Sequence, residues 1–398
     1  MLRPNTNITI TQQGDGRSLS LFFDFVTTWE YGNNWEDLSA QGKVTLPKNI
    51  YAINENTGVR YPLFGNNKNI GGFNSEPLIK RGDKIKIESW YTYWDNNLIE
   101  FQTEKVTIID GYITQVGAGM PIELMFEDSM YLLKQTPMTN RAFKSTETFE
   151  SILSEALKVT NSKFGTNLRV NSSSETRVTY EHALLTAENE TIATFLAKLK
   201  KDTHIFSYFR GNELRLGRLV YIEQEAVTKI FEFQENIISS QLSYKRKEDI
   251  VLSAVASNHI TEVTGTTKQG KEKTRSKRLE VLVWIDRTGK VQHKSVKEGD
   301  KADPNTDGER RTFTYPEAKS ESELVALATE NLKKYYYTGF KGKFTTFGTP
   351  YIQFGDNVQI INKILPEQDG LYKVKGVEYE GGVDGWRQTI ELDYKINV

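Results

Sequence analysis

The chain has 398 residues, with 51 Lys and Arg against 52 Asp and Glu, four His and no Cys. This balance gives no global attraction to nucleic acid or anionic membrane. The missing thiols exclude disulfides, thiolate nucleophiles and thiolate-held zinc or iron–sulfur centres.

A hydrophobic share of 37% is too high for a disordered chain, and the length suits about two to four domains. No run approaches the roughly 20 apolar residues that span a bilayer. The start, Met1-Leu2-Arg3-Pro4-Asn5, lacks the apolar stretch of a secretory signal. The expectation is a soluble chain made in the cytoplasm, without membrane insertion. With 20 Phe, 19 Tyr, 6 Trp and 29 Gly against 10 Pro, the composition favours short strands and turns, so the fold class reads as mainly β.

Residues 1–136 carry strand signals. Leu19, Leu21, Phe23 and Phe25 alternate with polar or opposite-face positions, as do Ile85 and Ile87 with Lys84, Lys86 and Glu88. Further strands are predicted over Lys105 to Val116 and Pro121 to Phe126, with Gly/Asn-rich breaks between, which is the pattern of a sandwich or barrel.

Residues 137–222 read as a small α+β domain. Phe149, Ile152, Leu153, Ala156 and Leu157 fall on one helix face, with Ser145-Thr146 as cap candidates. A second helix from about Asn189 places Ile192, Phe195, Leu196 and Leu199 on its core face, and Ile205 to Leu216 predicts a hairpin around Arg210-Gly211-Asn212-Glu213.

Residues 223–398 return to strands, with Ile230 to Phe233 and Ile250 to Val255 β-like, interrupted by a polar insertion and helix at about 262–336 that holds one strand over Leu279 to Ile285. Ser320-Glu321-Ser322-Glu323 is a capping-box signature, and the helix behind it is expected to bury Leu324, Leu327, Ala328 and Leu332. Strands over Asn357 to Ile361, Leu371 to Tyr379 and Gln388 to Ile396 close the chain.

Two distant stretches share a pattern. Gly82-Asp83 and Gly355-Asp356 each feed alternating apolar residues. Gly111-Tyr112-Ile113-Thr114-Gln115-Val116 resembles Leu371-Tyr372-Lys373-Val374-Lys375-Gly376-Val377, and Ile122-Glu123-Leu124 is matched by Ile390-Glu391-Leu392. Three matches in one order, bracketing the α+β segment, predict a duplicated β domain.

Thr148-Phe149-Glu150-Ser151-Ile152-Leu153, Glu190-Thr191-Ile192-Ala193-Thr194-Phe195-Leu196 and Gly211-Asn212-Glu213-Leu214-Arg215-Leu216-Gly217 resemble the middle of baseplate hub proteins. These form the late control protein D family of contractile-tailed phages, similar to the hub part of type VI secretion spikes. Gly348-Thr349-Pro350 through Gly355-Asp356, Gly370-Leu371-Tyr372 and Gly385-Trp386 also fit the family. The segment around 262–315 has no match there. The resemblance implies two similar tube-forming β-barrels plus a small α+β domain. It also implies a homotrimeric virion ring of pseudo-six-fold symmetry between a hexameric tail tube and a trimeric spike, with a channel for DNA or the tape-measure protein. It brings no cofactor, metal or catalytic residue.

Signals for chemistry are sparse. His182, His204, His259 and His293 lie far apart in unlike contexts, without metal-ligand spacing. Gly117-Ala118-Gly119 lacks the third glycine and following helix of a dinucleotide turn, and reads as a turn between strands. Glu127-Asp128 and Glu188/Glu190 are the carboxylate pairs a glycosidase would need to place across a cleft. Lys268 to Arg278 holds six cations around Glu272 without interleaved aromatics, a pattern of a solvated hairpin or docking strip rather than a nucleic-acid patch. Trp29, Tyr31, Trp35, Trp90, Tyr91, Tyr93 and Trp94 could form a sugar platform, but their alternation points several into a core. A carbohydrate-binding or wall-degrading protein is therefore the alternative to a structural ring.

Overall fold

The computed structural model describes residues 2–396 except 15, 24, 48–49, 64–76, 118, 120, 145, 172–185, 188, 218–225, 267–271, 298–307 and 316–317. The fold is mainly β, with antiparallel sheets dominating. In the first region the relevant strands are β1 (Leu2–Thr11), β2 (Thr28–Asn34), β3 (Gln41–Leu46), β4 (Lys84–Trp94), β5 (Val106–Val116) and β6 (Ile122–Glu127). Alternation made them: in β4, Ile85, Ile87 and Tyr91 are buried while Lys84, Lys86 and Glu88 stay half-buried. The strand carrying Leu21 ends at Phe23, leaving Phe25 exposed.

The middle segment contains α1 (Phe149–Phe164), α2 (Ile192–Thr203) and β7 (Phe206–Arg210). Thr148, rather than Ser145 or Thr146, caps α1: its hydroxyl accepts from Ser151 N at 3.2 Å. Ser145 lies outside the described residues. Gly165 in the left-handed region ends α1, and Thr191 caps α2 in the way Thr148 caps α1. Phe195, Leu196 and Leu199 are buried together with Phe149, Ile152 and Leu153 in a core of their own.

The last region holds β8 (Ile237–Lys245), β9 (Leu252–Thr266), β10 (Glu272–Ile285), α3 (Glu321–Lys333), β11 (Gly339–Phe347), β12 (Asn357–Ile361), β13 (Gly370–Gly382) and β14 (Gly385–Lys395). Much of the segment read as a polar insertion is folded. The hairpin β9–β10, with Val291–Ser295 and Glu309–Thr314, forms a four-stranded sheet on which α3 packs. The strands expected over Ile250 to Val255 and Leu279 to Ile285 form within β9 and β10 and bury Ala254, Ala256, Val281 and Val283, and both strands run on into the polar stretch. In α3, Ser320 Oγ accepts from Glu323 N while the Glu323 carboxylate reaches back to accept from Lys319 N, one residue before the cap, a variant of the expected capping box. Leu324, Ala328 and Leu332 are buried, but Leu327 is only half-buried at the margin of this core.

β2, β3, β6 and β5 run side by side, and so do β8, β11, β14 and β13. The two sets join through β2 and β13, which pair antiparallel from Thr28↔Gly382 to Asn34↔Gly376. They therefore belong to one 16-stranded sheet among the described residues and share one apolar core, from Ile8, Val44 and Phe126 to Phe344, Val374 and Ile390. Tyr91 fastens the halves: its hydroxyl donates to Trp386 O and accepts from Gly348 N, and its ring stacks on Trp386 at 5.1 Å. The halves differ beside the duplicated turns. β4 is flanked by antiparallel β1, whereas β12 is flanked by the parallel strand Thr228–Glu232.

Candidate functional site

The two Gly-Asp turns make the same set of backbone hydrogen bonds. Gly82 N donates to Ile113 O at 2.8 Å, Asp83 N to Lys80 O at 3.2 Å and Ile113 N to Asp83 O at 2.9 Å. In the second copy Gly355 N donates to Val374 O at 3.0 Å, Asp356 N to Gln353 O at 3.1 Å and Val374 N to Asp356 O at 3.0 Å. Both glycines need positive φ, +92° and +82°. Each aspartate folds back to accept from the backbone N–H three residues earlier, Lys80 at 2.7 Å and Gln353 at 3.0 Å.

Both carboxylates are buried, and each meets an arginine. Arg17 grips Asp83 with both terminal nitrogens at 2.8 Å, and Arg210 of β7 reaches Asp356. Neither arginine was recognisable from the sequence, because each lies far along the chain from its acid. Arg17 is local to the first region, but Arg210 ties the middle segment to the last region.

The equivalence extends across four strands. Trp29↔Val44↔Leu124↔Val116 in the first set is matched by Ser240↔Phe344↔Ile390↔Val377 in the second. The next rungs are Glu30↔Lys43↔Met125↔Gln115 and Gln241↔Lys343↔Glu391↔Gly376. Even a bulge recurs, since the pairing skips a residue between Ile113 and Gln115 and between Val374 and Gly376.

This register corrects two of the sequence matches. Ile113 stands where Val374 does, so Tyr112 corresponds to Lys373 and not to Tyr372, a one-residue slip that reverses faces. Tyr112 accordingly packs on the middle domain, while Tyr372 fills the β core. Leu124 corresponds to Ile390, which puts Ile122-Glu123-Leu124 two residues out of step with Ile390-Glu391-Leu392.

The candidates for chemistry are dispersed. Among the described residues no group of three His, Asp or Glu is placed to hold a metal ion. His204 is a left-handed helix terminus whose Nδ1 lies 3.1 Å from Thr314 Oγ1, and burial pushes its pKa down. His259 and His293 are exposed, and His182 and Glu188 lie outside the described residues. Glu127 pairs with Lys134 at 2.7 Å. Asp128 is buried, accepts from Ala40 N and Met130 N, and is pushed up to about 7, chiefly by burial. Trp29, Tyr31, Trp35 and Tyr91 are core residues; Trp90 and Trp94 are half-buried and Tyr93 is exposed. Lys268 to Lys271 lie outside the described residues, and the rest of that run belongs to β10.

The outward face of the joined sheet alternates charge. Lys43 lies 3.6 Å from Glu30 and 3.9 Å from Glu123, and Glu380 stands opposite both Glu30 and Arg387. A shallow depression there is lined by Glu30, Lys43, Met125, Glu378 and Glu380.

No protein-family model matches the chain, and no curated protein matches it. Its fold is similar to that of the tail protein from Neisseria meningitidis MC58, with a TM-score of 0.52 and 9% identity over 99% of this chain and 97% of that one. The 43 kDa tail protein of prophage MuSo2 from Shewanella oneidensis aligns at a TM-score of 0.49 and 11% identity over 98% of each chain. A prophage tail protein from Listeria monocytogenes EGD-e aligns at 0.49 and 8%, over 98% of this chain and 95% of that one. The chain thus shares the fold of a tail protein along its whole length.

Proposed function

We propose that the chain is a structural component of a phage or phage-like tail, a baseplate hub protein acting as a homotrimer. Three copies of a chain with two equivalent four-stranded sets would present six similar units, matching a six-fold tail tube on one side and a three-fold spike on the other. The observation that carries this reading is the rung-for-rung equivalence of β2-β3-β6-β5 and β8-β11-β14-β13 within one sheet. The whole-length likeness to a tail protein supports it.

In this reading the mechanism is geometric and non-catalytic. The ring would turn the charge-alternating face of the sheet toward its channel. Glu30, Glu123, Glu378 and Glu380 there offset Lys43 and Arg387, so DNA or a tape-measure protein could pass without its phosphates being trapped. The burial of Trp29, Tyr31, Trp35 and Tyr91 and the pairing of Glu127 with Lys134 favour this reading over a sugar-binding or wall-degrading one. Among the described residues no helix is long and apolar enough to cross a membrane.

The test is the mass of the purified chain by light scattering at increasing concentration, alone and with tail-tube and spike proteins. Three copies in the particle, and retention of the tube and spike on it, are expected. A chain that stays monomeric in both conditions overturns the reading.

A further inference from the structure

A cavity of about 380 Å³ opens where three parts of the chain meet. The first region supplies Tyr31 of β2 and Asp128 just after β6, and the middle segment supplies the turn after β7. The last region supplies Tyr351 and Tyr379. The size is that of a small-molecule site.

Three charged side chains line the cavity: Asp110, Asp128 and Arg210. Two of them are answered from within the chain. Asp110 pairs with Lys84 at 2.9 Å, and Arg210 holds Asp356 while its Nε donates to Gln353 Oε1 at 3.1 Å. Asp128 is not answered. It is buried, and among the described residues no cation lies within ion-pair distance of it. Its Oδ1 accepts from Met130 N at 2.9 Å and its Oδ2 from Ala40 N at 3.2 Å, which leaves each oxygen further acceptor capacity. A carboxylate buried in this way is costly to ionise until a counter-charge arrives.

Tyr31 is the second unanswered group. It is only 6% exposed, and its hydroxyl makes no hydrogen bond among the described residues. Burial, then the nearby Asp128 carboxylate and Tyr351 hydroxyl, hold its phenol well above the usual range, so it keeps its proton. The neighbouring hydroxyls are occupied: Tyr379 donates to Ile352 O at 2.8 Å, and Tyr351 accepts from Gln353 Nε2 at 3.3 Å. The rings offer little open face. Tyr31 stacks on both Phe126 and Tyr379, and Tyr379 stacks in turn on Tyr351.

This arrangement selects among cations. A guanidinium is best held by a bare carboxylate edge for its fork and an open aromatic face. Here both carboxylate oxygens already hold a backbone N–H, and the stacked rings cover one another. A metal ion would need more carboxylates or imidazoles than the described residues bring together. A primary ammonium needs only a few converging acceptors. We infer that the cavity binds one primary alkylammonium group, which shares its N–H donors between the Asp128 carboxylate and the Tyr31 hydroxyl. Its alkyl arm lies along the apolar wall given by Phe209 and Phe354. The ammonium comes from a free amine or from a lysine side chain of a partner protein. The inference goes beyond the tail reading and does not depend on a ring.

The test titrates n-butylammonium chloride into the full chain at constant ionic strength and records the heat of binding. Saturable binding at millimolar concentration is expected, with none for n-butanol. Tyr31→Phe removes one acceptor and should weaken binding roughly five-fold. Asp128→Asn removes the charge and should weaken it about thirty-fold or more; if that variant does not fold, Tyr31→Phe decides. Nα-acetyl-lysine methylamide is the second probe. Binding as tight as that of n-butylammonium assigns the site to a lysine side chain, and exclusion of the blocked lysine assigns it to a free amine. Absence of saturable n-butylammonium binding overturns the inference. So does equal uptake of n-butanol, or binding that Tyr31→Phe leaves unchanged. None of these outcomes alters the expected mass of the assembled chain, so the ring reading stands or falls separately.

Discussion

Arg210 of the middle domain and Asp356 of the second β region form a largely buried ion pair, the counterpart of Arg17 and Asp83 in the first region. The same carboxylate position thus serves two ends: in the first region it stiffens a turn, in the last it also ties β7 of the middle segment to that turn. Removing one partner strands the other. Arg210→Ala should cost about 3–5 kcal/mol, because a buried carboxylate loses its countercharge. The double variant with Asp356→Ala should cost less than the two singles summed, by roughly 1–3 kcal/mol. Urea unfolding of the four proteins measures this, and additive losses would mean that the pair is not coupled.

The two glycines test whether the turns are equivalent in energy as well as shape. Both sit at positive φ, where a side chain costs about 1–2 kcal/mol. Gly355→Ala should lose about that much. Gly82→Ala should lose a similar amount, with its new Cβ coming within 3.2 Å of the Tyr131 hydroxyl. Thermal unfolding of both variants measures this; a neutral Gly355→Ala would show that the second turn can relax to negative φ.

The likeness of the two turns could be read from the sequence because Gly-Asp carries its own physics: a glycine for positive φ and an aspartate to accept from the preceding backbone. Tyr112 and Tyr372 misled for an equally physical reason. A shared residue type says nothing of which face it points to, and a one-residue slip exchanges core and surface. The helices were legible through their 3.6-residue period, down to Phe195, Leu196 and Leu199. Arg17 and Arg210 were not, because no local pattern tells which distant carboxylate a guanidinium will meet. The cores of β9 and β10 were legible as apolar runs, whereas their extension through the charged stretch and their pairing into a four-stranded sheet were not.

Leu196 and Leu327 looked alike in the sequence and differ in the fold. Leu196 is fully buried within the middle domain, whereas Leu327 is half-buried at the rim of the core beneath α3. Leu196→Asp places an unpaired charge in that core and should unfold the middle domain, a loss of several kcal/mol. Leu327→Asp leaves its carboxylate a route to water and should cost about 1–2 kcal/mol. Limited proteolysis distinguishes them: cleavage within 137–222 is expected for the first variant and near-native resistance for the second.

Asp128 predicts how stability changes with pH. Burial raises its folded-state pKa from 3.8 to about 7, outweighing the hydrogen bonds from Met130 N and Ala40 N that favour the ionised form. Asp393 is raised to about 6 by the same cause. A folded-state pKa above the unfolded value means that the native protein holds the proton more tightly. Its contribution is complete below about pH 4 and is lost as pH rises toward 7. Each such group should therefore subtract up to about 1.4 kcal/mol per pH unit across that window. Asp128→Asn removes one titration while keeping an oxygen for one of the two N–H donors. The difference in unfolding free energy between the variant and the parent chain should rise in favour of the variant from pH 4 to 7. A difference that stays flat across the window would show that Asp128 is ionised in the folded chain throughout, held by its two backbone N–H groups.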